Sequence, residues 1–157
     1  MRFIKIEDDN KKEIEEIRKL FDKYFSSYKE YLGVQDFEKE LNTLPGKYSN
    51  PEGCLIIAKE DENVTGCSGL KKFSDDCCEM GRLYVKAEYR KKGVGSKLVE
   101  LLIENAKNKG YKKILLDTIP ELESAIKLYN SFGFKTVKQY YESPIKNPIF
   151  MELTLDN

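Results

Sequence analysis

"RKKGVGSKL", Arg90 to Leu98, is the stretch on which the reading of this chain turns. Three cations precede two glycines set one residue apart, and an apolar-periodic segment begins directly after them. Val94, Leu98, Leu101, Leu102 and Ala106 recur at helical spacing, which predicts a helix that opens on the glycines. The first four amides of a helix lack intrahelical partners and sit at the positive end of its dipole. Glycine at 93 and 95 leaves such amides bare and tolerates the backbone angles of an anion-binding nest. The stretch therefore either turns a corner or seats an anion such as phosphate, with Arg90, Lys91 and Lys92 adding attraction. A Walker loop is excluded because the glycines stand too close together. The dinucleotide fingerprint fails because Leu98 occupies the place of its third glycine.

Composition narrows what the chain can be. At 157 residues it fits one domain, spanning 1–157, and a domain of this size hides roughly 68–70% of its unfolded surface. Lysine plus arginine equals aspartate plus glutamate at 27 each, which argues against a nucleic-acid partner. The chain has no histidine, so the commonest general base and metal ligand is missing. The four cysteines, Cys54, Cys67, Cys77 and Cys78, form no CxxC and no zinc spacing. They read as reduced cytosolic thiols, most of them buried in strands. With neither a signal peptide nor an apolar run of membrane-spanning length, the expectation is a cytoplasmic protein with no membrane partner.

Outward from the glycines, the chain reads as alternating strands and helices. Met1 to Glu7 suggests a strand, and Asp8, Asp9 and Asn10 offer caps to a helix carrying Ile14, Ile17, Leu20, Phe21, Tyr24 and Tyr28, ended by Gly33. A shorter helix is expected over Asp36 to Leu44, then a loop over Lys47 to Gly53. Cys54–Lys59, Val64–Phe73 and Cys77–Val85 read as a meander with short polar turns. After the glycine-led helix, which stops at Gly110, Lys112 to Thr118 is a short buried strand. Thr118-Ile-Pro-Glu121 has the pattern of a capping box for a helix through Phe132, terminated by Gly133. Phe134–Val137 and Pro148–Leu155 are the closing strands. The fold class expected is α/β, a mixed sheet with helices on both faces.

Three motifs at compatible spacing resemble one family. Arg90-x-x-Gly93-x-Gly95 is similar to the Gln/Arg-x-x-Gly-x-Gly/Ala signature of the GNAT superfamily of N-acetyltransferases. "EMGRLYV", Glu79 to Val85, resembles that family's fourth strand, and "AIKLYNSFGF", Ala125 to Phe134, its last helix and following strand. The resemblance covers about Cys77 to Val137, and more loosely the first half. It implies a mostly antiparallel sheet whose fourth and fifth strands splay apart, and acetyl-CoA as co-substrate with no metal. The diphosphate would rest on the amides of Lys92, Gly93, Val94, Gly95 and Ser96, near Arg90 and Lys91. The pantetheine arm would run along Leu83, Tyr84 and Val85.

The implied reaction is direct acetyl transfer to a primary amine of a small molecule or peptide, with no covalent enzyme intermediate. An amine with the basicity of lysine is almost wholly protonated at pH 7, so a carboxylate base is useful. Glu79 is placed for that role by the resemblance, and reads equally as a solvent-facing strand carboxylate. Tyr129, the tyrosine of the "LY…GF" pattern, is implied as general acid to the sulfur, although its apolar helix face would also suit a core residue. The backbone amide of Val85 is the implied oxyanion donor. Arg82 is a candidate for an acceptor carboxylate, or else a strand-edge ion pair. Where many relatives carry an asparagine this chain has Leu122, so Thr118 or Ser124 would replace that contact to the pantetheine. The tail Gln139 to Pro148 and the aromatic series Phe21, Phe25, Tyr28 and Tyr31 would border the acceptor, or only fill space. Exposed sheet ends would allow a homodimer. Two rivals stand beside the enzyme: a non-catalytic acyl-CoA sensor with this fold, and a phosphate-ligand protein unrelated to CoA.

Overall fold

The computed structural model describes residues 1–32 and 37–156. Gly33 and Asp36, expected above as a helix end and a helix start, lie outside the described residues, as does the side chain of Tyr31. The strands are β1 (Arg2–Lys5), β2 (Cys54–Glu60), β3 (Asn63–Lys72), β4 (Cys77–Val85), β5 (Lys113–Thr118), β6 (Lys135–Val137) and β7 (Ile149–Thr154). The helices are α1 (Lys11–Leu32), α2 (Phe37–Asn42), α3 (Val94–Asn108) and α4 (Glu123–Ser131). Short 3₁₀ turns occupy Gly46–Tyr48, overlapping the start of the expected loop, and Ala87–Tyr89.

The strands form one sheet in the order β1-β2-β3-β4-β5-β7-β6. Each neighbouring pair is antiparallel except β4 and β5. Alternation along β2 divides the interior. Ile56 and Ala58 pack with Leu98, Leu102 and Ala106 of α3, whereas Leu55 and Ile57 pack with Ile17, Leu20 and Phe21 of α1. A strand buried on both faces reads as a continuous apolar run, and "CLIIA" has that form. Helices thus cover both faces, as expected.

The helix ends follow from local chemistry. Asn10 caps α1, its Oδ1 accepting from the Glu13 amide at 3.2 Å. Helices α3 and α4 stop alike. Gly110 and Gly133 take positive φ of 87° and 97°, and the residue after each glycine donates five residues back. For α4 that bond runs from Phe134 N–H to the Tyr129 carbonyl at 3.1 Å. The glycine-phenylalanine pair therefore clamps the turn that carries Tyr129.

One local motif fails. Thr118 does not cap α4, because it ends β5, where it pairs with Ile149 and is buried. Pro120 and Glu121 fall in the turn closed by Leu122 N–H on the Ile119 carbonyl at 3.1 Å. The N-cap of α4 is Leu122, with no side-chain hydrogen bond.

Candidate active site

β4 and β5 part company early. Their pairing runs only over Cys77–Lys113, Cys78–Ile114 and Glu79–Leu115, after which both strands continue without each other. The opening is a cleft of about 610 Å³, within the usual range of roughly 300–1,000 Å³ for ligand pockets. One wall is β4 from Met80 to Val85, and the other is the end of β5 with the start of α4.

A bulge shapes the β4 wall. Tyr84 faces Cys67 and Gly81 faces Gly69, so three steps on β4 match two on β3. Arg82 absorbs the extra residue with φ of 59°. The displaced carbonyls of Gly81 and Arg82 are met by Ser68 Oγ at 3.0 Å and Cys67 Sγ at 3.7 Å. Leu83, Tyr84 and Val85 line the cleft along the edge that faces away from β3.

The turn from β4 into α3 makes the floor. Its backbone enters the left-handed region twice, at Lys91 (φ 64°) and Gly93 (φ 82°). Glycine does so freely; a residue with a β-carbon gives up about 1–2 kcal/mol, so Lys91 is strained. Gly93 is the N-cap of α3, and no side chain caps the helix. The Lys97 amide bonds the Gly93 carbonyl at 3.1 Å, so the amides of Gly93 to Ser96 belong to the turn that helix geometry leaves unpaired. A β-carbon on Gly95 would point toward Leu128 and Val85, at 3.6 and 3.9 Å, across the cleft. Gly93, Val94, Gly95, Ser96, Arg90 and Lys91 line the opening; Lys92 does not, its ammonium lying 5.6 Å from the Tyr89 ring. Arg90 Nε donates to the Val85 carbonyl at 2.8 Å, tying the turn to the end of β4. Bare amides, two flanking cations and a glycine whose side chain would obstruct the space fit a diphosphate.

Tyr129 reaches the cleft from α4 and is 7% exposed. Its ring lies 5.8 Å from Phe134, and no hydrogen bond occupies its hydroxyl among the described residues. Burial above all, then the charges of Tyr24 and Asp117, hold its pKa above the ordinary tyrosine value. The phenol keeps its proton at neutral pH. Thr118, Leu122 and Ser124 also line this side.

Glu79 stands at the root of the cleft, as the last β4 residue paired with β5, and is not part of the lining. Lys71 Nζ lies 3.4 Å from its carboxylate, and the Tyr140 hydroxyl donates to it at 2.7 Å. Arg82 is in the lining, but its fork is taken. Nε and Nη2 bond the two oxygens of Glu40 at 2.9 and 3.0 Å, and the guanidinium lies 4.9 Å from the Phe25 ring. The strand-edge ion pair is what the structure displays.

Sequence reasoning missed Tyr24, Asp117 and Ile145 as individual lining residues. Tyr24 and Tyr28 come from α1 and Ile145 from the tail between β6 and β7. Asp117 is the penultimate residue of β5, and Tyr141 of the same tail donates a hydrogen bond to its Oδ2. Tyr140 and Tyr141 pack edge-on against Phe150, with centroids at 4.8 and 5.4 Å. The tail thus packs against the ends of β5 and β7 and sends Ile145 into the lining. Pairing between β5 and β7 brings Asp117 and the tail together, and no local signal announces it.

Known proteins share this arrangement. The model of the acetyltransferase (GNAT) family matches residues 14–134. An uncharacterized N-acetyltransferase of Schizosaccharomyces pombe is 34% identical over 145 residues, covering 91% of this chain and 89% of that protein. One from Dictyostelium discoideum is 30% identical, covering 90% and 94%. A GNAT-family acetyltransferase structure from Staphylococcus aureus superposes with a TM-score of 0.81 at 22% identity, covering 99% of this chain and all of that one. A Thermoplasma acidophilum N-acetyltransferase in complex with coenzyme A superposes with a TM-score of 0.74 at 20% identity, covering 99% and 100%. With the splayed strands and the glycine-led helix, the family match decides the matter: the chain belongs to the acetyltransferase (GNAT) family.

Proposed function

We propose that the cleft transfers an acetyl group from acetyl-CoA to a primary amine by direct attack, and that each part of the opening has one task. The amides of Gly93 to Ser96 hold the diphosphate, with Arg90 and Lys91 beside it. The unpaired edge of β4 at Leu83 to Val85 bonds the pantetheine arm as a further strand would. Thr118 or Ser124 takes the place of the asparagine that Leu122 replaces.

Acetyl-CoA supplies an activated thioester; the chain supplies position and protons. The Val85 amide stabilises the charge that builds on the carbonyl oxygen, and one such donor is worth about 2.7–4 kcal/mol. Tyr129 gives its proton to the departing sulfur. A carboxylate beside the cleft accepts a proton from the ammonium. Arg82, held by Glu40, braces the β4 bulge at the acceptor end. Free buried thiols suit a reducing compartment, and we place the protein in the cytoplasm.

The single observation behind this reading is the parting of β4 and β5 directly above the uncapped start of α3. Thiol release from acetyl-CoA across a panel of primary amines tests it. Turnover with at least one amine is expected. Coenzyme A binding with no turnover on any of them would instead favour an acyl-CoA sensor.

A further inference from the structure

Two carboxylates flank the cleft, and they are not equivalent. Glu79 sits at its root, paired to Lys71 and bonded by Tyr140, outside the lining. Asp117 lies in the lining itself, two residues past the last β4–β5 pair, on the wall opposite Leu83 to Val85. It is half-buried, and Tyr141 bonds one of its oxygens, leaving the other for a ligand. Its surroundings are acceptor-like: Tyr24 of α1 and Tyr129 of α4 line the same space.

The geometry points to Asp117 as the group that binds the acceptor ammonium and takes its proton, with Tyr141 as the positioning residue that fixes the carboxylate. This rests on the acetyl-transfer reading above and assigns its base. The protons balance as follows. Asp117 takes one proton from R–NH3⁺. The freed lone pair forms the C–N bond, the C–S bond breaks, and the sulfur leaves with the proton of Tyr129. The second proton on the new amide nitrogen restores Tyr129, and Asp117 releases its own to solvent. The aromatic ring of Tyr24, in the same lining, suits an amine that carries a ring or an alkyl chain next to its charge.

The test uses two probes, benzylamine, which is cationic at pH 7, and trifluoroethylamine, whose fluorines keep its nitrogen largely unprotonated there. Calorimetry first establishes that each variant binds coenzyme A as the wild type does; a wild type that does not bind it refutes the acetyl-transfer reading rather than this assignment. On the CoA-saturated protein, Asp117→Asn is expected to weaken benzylamine binding about tenfold or more. It should lower kcat with benzylamine by about 10²–10⁴-fold, the usual contribution of a general base. With trifluoroethylamine, Asp117→Asn and Tyr141→Phe should both approach the wild-type rate, a bypass that a merely structural role would not give. Equal losses with both amines, no loss with either, or a wild type that binds coenzyme A yet acetylates neither amine would each overturn the assignment. So would a bypass seen for Glu79→Gln and not for Asp117→Asn.

Discussion

At the scale of single residues, the groups assigned to the chemistry sit in environments that can be stated. The Tyr129 phenol is raised by burial, so it keeps its proton beyond the ordinary tyrosine value of about 10. Turnover should therefore show no alkaline loss attributable to this group below about pH 10, which a pH–kcat profile would check. Tyr129→Phe is expected to cost about 10²-fold or more in kcat while coenzyme A affinity stays within twofold by calorimetry. Wild-type turnover would return Tyr129 to the core. The cysteines make a second residue-level case. Burial pushes the Cys54 thiol up to about 11 and raises those of Cys67 and Cys78 as well, while Cys77 is only half-buried. A maleimide reagent followed by mass spectrometry should label Cys77 alone in the native protein and all four after unfolding. The sequence reading of buried strand thiols anticipated this for three of the four, since alternation along β4 puts Cys77 and Cys78 on opposite faces.

At the scale of elements, termination matters as much as periodicity. Gly133 ends α4 in the left-handed region and lets Phe134 bond the Tyr129 carbonyl. Gly133→Ala should cost about 1–2 kcal/mol in urea unfolding and also lower kcat, because the turn bearing Tyr129 loosens. Gly110→Ala, in the same motif on α3, should cost similar stability with little effect on kcat. Close packing gives another pair. A β-carbon on Gly53 would lie 2.5 Å from the Leu70 carbonyl and 2.9 Å from that of Lys47, both backbone, whereas one on Gly81 meets nothing within 4 Å. Gly53→Ala should therefore cost about 1–3 kcal/mol and Gly81→Ala less than about 0.5 kcal/mol, again by urea unfolding.

What was legible at this scale was what is locally encoded. The amphipathic stripe of α3, its glycine start and its glycine stop all lie within about twenty residues of one another. The start of α4 was misread because Thr118-Ile-Pro-Glu121 has the local grammar of a cap, yet strand pairing with Ile149 claims Thr118 first. The site shows the same division. Gly93, Gly95, Arg90, Lys91 and Tyr129, which line the cleft, could be named along the chain, while the Asp117–Tyr141 and Arg82–Glu40 contacts join residues 24 and 42 positions apart.

At the scale of the whole molecule, the proposed site is an opening in the sheet. Seven strands pair in one sheet, β4 and β5 diverge within it, and α3 and α4 flank the gap. A ligand that binds there and not to the unfolded chain stabilises the protein by mass action, by about 2.7 kcal/mol at one hundred times its Kd. For a chain of this length that corresponds to a rise of roughly 5–11 °C in Tm. Coenzyme A should produce such a shift and ATP a smaller one; a larger shift with ATP would contradict acyl-CoA specificity. Gly95→Glu should abolish the coenzyme A shift through bulk and charge in the cleft, while its own unliganded Tm remains a cooperative transition. The most direct measurement is a crystal structure of the protein soaked with coenzyme A. The diphosphate oxygens are expected about 3 Å from the backbone nitrogens of Gly93 to Ser96. A vacant turn, or the nucleotide lodged elsewhere on the protein, would contradict the site.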